Sequence, residues 1–239
     1  MKIEVSTHNH TLVSQHAYST FTEYMQRCNE IGLRGFVLTD HTLSLGDGAH
    51  PWHFINQRVL PEKVGNVRFF KGAEVNVLDT EGSVDLENGI MKNLDFVICS
   101  MHEPCYKSTS FENHTKTWLN IAKNPYIDAI GHSGQDIFKY DYETAVKEFK
   151  KYNKIVEINS HSFSHRKGAK NNCREIALMC KKYGVRISVG ADAHSIYQVD
   201  DFSDAVNMLE EIDFPKELII NLTLESFLSY VEERKNRVK

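Results

Sequence analysis

Nowhere in this 239-residue sequence does an apolar run approach the length that crosses a bilayer, and Met1-Lys2-Ile3-Glu4 leads into no apolar signal region. Neither a helical membrane span nor a secretion signal is expected, and a cytoplasmic protein is. An excess of basic charge is missing too: 28 Lys and Arg stand against 32 Asp and Glu, a net charge of −4. That balance argues against nucleic acid or an anionic membrane as the main partner, since both select basic surfaces. The five cysteines are odd in number and form no Cys-x-x-Cys pair, which excludes a disulfide framework and a zinc ribbon and predicts reduced, mostly buried thiols. There is no Pro-, Gly- or Ser-rich linker and no low-complexity stretch. With 41% hydrophobic and 25% charged residues, a single domain over residues 1–239 with one large core is expected.

What the sequence does hold is histidine, and much of it in one kind of place. A short alternating run, Lys2 to Val5, leads into Ser6-Thr-His-Asn-His-Thr-Leu-Val-Ser-Gln-His16. His8 and His10 are two apart at a strand end, so their imidazoles share a face and can grip one ion. The apolar spacing of Phe21, Tyr24, Met25, Cys28 and Ile31, stopped by Gly32, predicts an amphipathic helix. The next strand, Arg34 to Thr39, ends in Asp40-His41. Val67 to Val75 carries Glu74 near its end, Leu94 to Ser100 runs into His102, and Tyr126 to Gly131 into His132. Ile155 to Asn159 ends without an obvious ligand, and Val185 to Gly190 is followed by Asp192 and His194. Helices are expected around 112–122, 145–149, 176–180, 202–212 and 224–234.

Seven short strands alternating with helices predict parallel β/α units in an α/β fold, closed at this length into a barrel. In such barrels the carboxyl ends of the strands form the active face. His8, His10, His16, His41, Glu74, His102, His132, Asp192 and His194 would therefore converge. Nine such groups exceed one four-coordinate site and suit two or three ions. Imidazole and carboxylate without thiolate favour Zn2+, Mn2+ or Fe2+. A water acidified there is a hydroxide nucleophile at neutral pH, and a cationic pocket with two carboxylates favours a phosphate dianion.

The ordered motifs His8-Asn9-His10, His16-Ala17-Tyr18-Ser19-Thr20, Leu38-Thr39-Asp40-His41, Trp52-His53-Phe54, Gly72-Ala73-Glu74, His102-Glu103-Pro104, Gly131-His132 and Gly190-Ala191-Asp192-Ala193-His194 resemble the PHP (polymerase and histidinol phosphatase) superfamily. Within it the chain is similar to a trinuclear-zinc branch of probable phosphatases. The resemblance implies a distorted seven-stranded, TIM-like (β/α)7 barrel and three divalent metal ions. It places His8, His10 and Asp192 on one ion, His102 and His132 on a second with Glu74 bridging the two, and His16, His41 and His194 on the third. Ser6 and Ser133 stand where the family often has Asp and Pro, and neither replaces a ligand.

Other residues carry weaker expectations. Asp40 could orient a neighbouring ligand, act as general acid, or be a plain strand-end carboxylate. Arg166, with Lys167 and Lys170 beside it, could clamp a phosphate ester's non-reacting part, and His161 and His165 flank that loop. Trp52 and His53 would wall the pocket, and His114 would lie on the surface. The leading expectation is a phosphoesterase acting on a small phosphorylated substrate, with Asp40, Glu74 and Asp192 as its catalytic acids. Its competitors are a phosphodiesterase or nuclease and a non-catalytic metal-binding regulatory module.

Overall fold

A computed structural model describes residues 1–239. Eight strands form: β1 (Val5–Ser6), β2 (Gly35–Leu38), β3 (Lys63–Val64), β4 (Val67–Asn76), β5 (Phe96–Ser100), β6 (Ala129–Ile130), β7 (Ile155–Asn159) and β8 (Ile187–Gly190). Seven run parallel in the order β1-β2-β4-β5-β6-β7-β8, and β3 pairs antiparallel with β4 as an added hairpin. The seven parallel strands are those expected, several of them shorter. The helices are α1 (Phe21–Ile31), α2 (Pro51–Asn56), α3 (Asn88–Met91), α4 (Phe111–Lys123), α5 (Tyr142–Lys151), α6 (Ser162–His165), α7 (Ala169–Tyr183), α8 (Ser203–Glu211) and α9 (Leu224–Arg237). None is long and apolar enough to cross a membrane.

Local chemistry accounts for the boundaries. At α1 the Thr20 side chain accepts from Glu23 N while Glu23 reaches back to Thr20 N, a reciprocal cap, and Gly32 at φ 74° ends the helix. The short α2 was not expected from periodicity. Pro51 sits in its first turn and the His50 side chain caps it from Trp52 N.

Strand alternation gives the barrel two differently filled faces. Outward residues such as Phe36, Leu38, Val97, Cys99, Val156 and Ile158 join the large core beneath the helices. Inward residues change along the barrel axis. At the amino ends they are apolar: Val5, Val37, Phe70, Phe96, Ile98 and Ile155, sealed from below by Phe227, Tyr230 and Val231 of α9. At the carboxyl ends the same face turns polar, with Glu74 and Asn76 on β4, Ser100 on β5, and Glu157 and Asn159 on β7. Gly72 of β4 lets strands approach closely, since a Cβ there would lie 2.8 Å from Phe96 O and 2.9 Å from Leu38 O.

Two devices close the ring between β8 and β1. Below, the buried Asn221 side chain donates to Val5 O and Val189 O and accepts from Val189 N, each at 2.9 Å. Above, His10 N donates to Ala193 O at 2.8 Å and Ala193 N to His8 O at 3.2 Å. Under the barrel the fully buried Asp128 holds α9: Tyr230 Oη donates to it at 2.9 Å and Arg234 Nε at 2.6 Å.

Candidate metal centre

The closure that pairs His8–His10 with Ala193 brings the ligand-type residues of β1 beside those following β8. His8 Nε2 lies 3.4 Å from Glu74 Oε2 and 3.5 Å from Asp192 Oδ1; His10 Nε2 lies 3.6 and 3.2 Å from the same atoms. Glu74 Oε1 faces the other way, 3.0 Å from His132 Nε2 and 3.6 Å from His102 Nε2, and accepts from Ser100 Oγ at 2.6 Å. Glu74 thus has one oxygen toward each pair. His41 Nδ1 also reaches Glu74 Oε2, at 2.8 Å. The His16, His41 and His194 set is therefore in touch with the central carboxylate.

Two contacts are the most telling. His102 and His132 bring their Nε2 atoms to 3.1 Å, and His16 and His194 bring theirs to 2.8 Å. The other nitrogens are mostly occupied: His102 Nδ1 bonds Asn76 Oδ1 at 2.7 Å, His16 Nδ1 the Asp47 carboxylate, and His194 Nδ1 the Asp192 carbonyl at 2.9 Å. Each of these acceptors calls for Nδ1–H, so a neutral ring turns a bare lone pair inward. Between His16 and His194, whose outer nitrogens are both bonded to acceptors, the facing lone pairs repel unless a cation sits between them. Nitrogens bound tetrahedrally to one zinc would be about 3.3 Å apart.

Buried polar atoms without a hydrogen-bond partner are rare in folded proteins. Here they include His8 Nε2, His10 Nδ1 and Nε2, His41 Nδ1, Glu74 Oε2 and His132 Nδ1. Overlapping trios (His8, His10, Glu74; His10, His41, His194; His41, Glu74, His102) have donor atoms within 4.8 Å of one another. The residues present fit divalent ions. Burial pushes the imidazoles of His10 and His102 well below their usual pKa, toward the neutral form that can ligate. Burial would raise the Glu74 carboxyl, but His8, His102 and His41, with His132 bonded to it, hold it well below the carboxylate range. His132 (φ 25°) and Asp192 (φ 52°) occupy the left-handed region, disfavoured for such side chains and common at functional sites.

A cavity of about 600 Å³ opens onto this cluster, lined by His16, His41, His102, Asp192 and His194, with His161, His165 and Arg166 opposite. Arg166 Nη1 donates to Ser162 Oγ at 2.7 Å and Asp192 Oδ2 at 3.2 Å. His161 and His165 stack with centroids 3.8 Å apart. Lys167 is exposed and does not line the cavity.

Asp40 lies differently from a general acid. It is fully buried and off the cavity; Oδ1 accepts from Thr11 N (2.7 Å) and Ser14 Oγ (2.9 Å), and Oδ2 from Thr11 Oγ1 (2.8 Å), with His53 Nε2 at 3.0 Å. Ser14 Oγ in turn accepts from His41 N at 3.0 Å. The carboxylate pins the loop after His10 against His41, and it has no free oxygen to present to a leaving group. His114 also corrects the expectation: it is buried, bonding Thr109 N and Lys139 O, each at 3.0 Å. Ser6 Oγ bonds Asn9 and Val199 O, and Ser133 Oγ bonds Tyr140 Oη, so both departures from the family pattern are absorbed locally. Four of the five thiols are buried and none is paired.

In this parallel β/α barrel the polar, histidine-rich cluster sits at the carboxyl face, where such barrels carry their active sites. The PHP domain profile matches residues 6–163, and the chain belongs to that family. Among its relatives, a probable phosphatase of Acetivibrio thermocellus is 41% identical over 239 residues, covering 100% of this chain and 99% of that one. Another from Thermoanaerobacter sp. is 42% identical over 240 residues, covering 100% and 98%. Among solved structures, histidinol phosphate phosphatase from Lactococcus lactis, complexed with zinc, L-histidinol and phosphate, superposes with a TM-score of 0.62 at 15% identity, covering 90% of this chain and 95% of that one. That likeness concerns the fold.

Proposed function

We propose that the chain is a metal-dependent phosphoesterase that hydrolyses small phosphomonoesters at a trinuclear site. The observation that carries this reading is the pair of Nε2–Nε2 contacts, His16 with His194 and His102 with His132, set either side of Glu74. In it His8, His10 and Asp192 hold one ion, His102 and His132 a second with Glu74 between them, and His16, His41 and His194 a third. Ions bound there would supply an acidified water as nucleophile and positive charge to match a phosphate dianion.

The chain's own residues do the rest. Ser100 fixes Glu74 so that each oxygen serves one side. Asp47, Asn76 and the Asp192 carbonyl turn the imidazoles inward. Arg166, on the cavity wall and free at part of its guanidinium fork, is placed to hold a phosphate oxygen while steadying Asp192. Leu45 and Pro104 also line the cavity.

Metal analysis of gently purified protein, run beside phosphate release from monoesters, diesters and oligonucleotides, tests this. Three ions and monoester turnover are expected. One ion per chain would overturn the trinuclear site, release confined to diesters or oligonucleotides the substrate class, and metal without turnover the enzyme itself.

A further inference from the structure

Strand β7 supplies no ligand to the centre, yet its inner face points into it. Alternation puts Val156 and Ile158 in the outer core and turns Glu157 and Asn159 inward, both buried. Glu157 Oε1 lies 2.6 Å from His8 Nδ1, and Oε2 accepts from His132 N at 2.8 Å. Asn159 Nδ2 donates to Glu157 Oε2 and to Asp192 Oδ2, each at 3.2 Å. Space for this carboxylate exists because position 190 is glycine; a Cβ there would lie 2.0 Å from Oε1.

We infer that Glu157 is the positioning residue that selects the ligating tautomer of His8 and locks the strained backbone of His132. The inference rests on the metal-centre reading above. An ionised carboxylate can only accept, so the short bond to His8 places the ring proton on Nδ1. Nε2 is left with its lone pair aimed at the gap between Glu74 and Asp192, where it has no hydrogen-bond partner. The second oxygen holds His132 N–H, which steadies a φ of 25° that a histidine otherwise resists. One side chain thus governs ligands from the ends of β1 and β6, strands that are not neighbours in the sheet.

Glutamine at this position has one acceptor oxygen where three donors, from His8, His132 and Asn159, are now met. If that oxygen stays on His132 N, the amide N–H faces His8 Nδ1 and drives the ring proton to Nε2, the ligating atom. Zn2+ titration of the full chain in a competing chelator should show Glu157→Gln losing 10–100-fold in affinity for at least one ion, roughly the scale of lost outer support at metal sites. Nitrogen-15 histidine spectra of the zinc-free parent, taken at a pH high enough to leave the His8 ring neutral, should show it as the Nδ1–H form, moving toward Nε2–H in the variant. Glu157→Asp keeps the charge and should keep the tautomer while binding zinc less tightly than the parent. In a His8→Ala background Glu157→Gln should cost less than it does alone, because one of its two clients has gone.

A parent that takes up no zinc overturns the metal-centre reading itself. A parent that binds zinc, with Glu157→Gln within two-fold of it, overturns this inference alone. So does an Nε2–H form of His8 in the parent, which needs no variant to fold.

Discussion

His16 Nε2 stands 2.8 Å from His194 Nε2, though 178 residues separate them in sequence and each ring is turned by a bond at its other nitrogen. The pair is at the rim, with the His16 side chain 48% exposed, so it can be altered without touching the core. His16→Ala should retain two ions of three and lose at least about 100-fold in kcat on one phosphomonoester, because one side of the phosphate clamp is gone. Metal stoichiometry beside kcat checks this. A variant that keeps all its metal, or drops an ion and turns over at the parental rate, would remove His16 from the mechanism. Asp47→Ala, which frees only the outer nitrogen, should lose about 10-fold in metal affinity.

Glu74 is the one acid that faces both histidine pairs. Glu74→Gln should weaken two ions together and abolish measurable turnover, while the circular dichroism of the barrel stays parental. Activity within a few-fold of the parent would show that no ion depends on both of its oxygens.

Arg166 touches Asp192 from the cavity wall. Arg166→Ala should raise KM about ten-fold or more for a phosphomonoester, with metal content nearly unchanged. An unaltered KM would return this guanidinium to a purely local bond with Ser162 and Asp192.

Lys154 offers a test of the fold apart from the metal site. It is almost fully buried, and Nζ donates to Asn124 O and Ile127 O, each at 2.5 Å. Burial, helped by Arg237, pushes its pKa down to about 7. Between about pH 7 and the ordinary lysine value near 10.4 the unfolded chain holds a proton that the folded one has released. Stability from this group is therefore complete above the unfolded pKa and is lost as pH falls from there through 7, a span of up to roughly 5 kcal/mol. For metal-free protein, the Tm difference between parent and Lys154→Met should grow in the parent's favour from pH 6.5 to 9. A difference that stays flat over that range would mean Lys154 remains charged inside the fold.

The ligand-type residues were readable because metal chemistry uses few side chains, and parallel β/α units put them at predictable places. His8, His41, His102, His132 and His194 follow strands whose apolar runs mark their ends. Glu157 was hidden for the opposite reason: it lies inside the apolar run of β7, and only the two-residue alternation distinguishes it from its outward neighbours. Asp40 was ambiguous because its partners, Thr11, Ser14 and His53, come from two other segments. His114 looked like a surface residue because its acceptor, Lys139 O, lies 25 residues on. The plug formed by α9 read as an ordinary amphipathic helix, since nothing local tells Phe227 and Tyr230 that they face a barrel interior.

The seam between β1 and β8 has a consequence for the order of assembly. The histidines of β1 leave the ribosome long before Asp192 and His194 exist, and the backbone bonds that align them, His10 N to Ala193 O and Ala193 N to His8 O, cannot form until β8 arrives. Contacts of such sequence separation form late because the loop they close is long. A chain that stops before β8 therefore lacks Asp192 and His194 and the backbone bonds that align His8 and His10 with them. On the metal-centre reading proposed above, uptake of the full set of ions would report that the ring has shut.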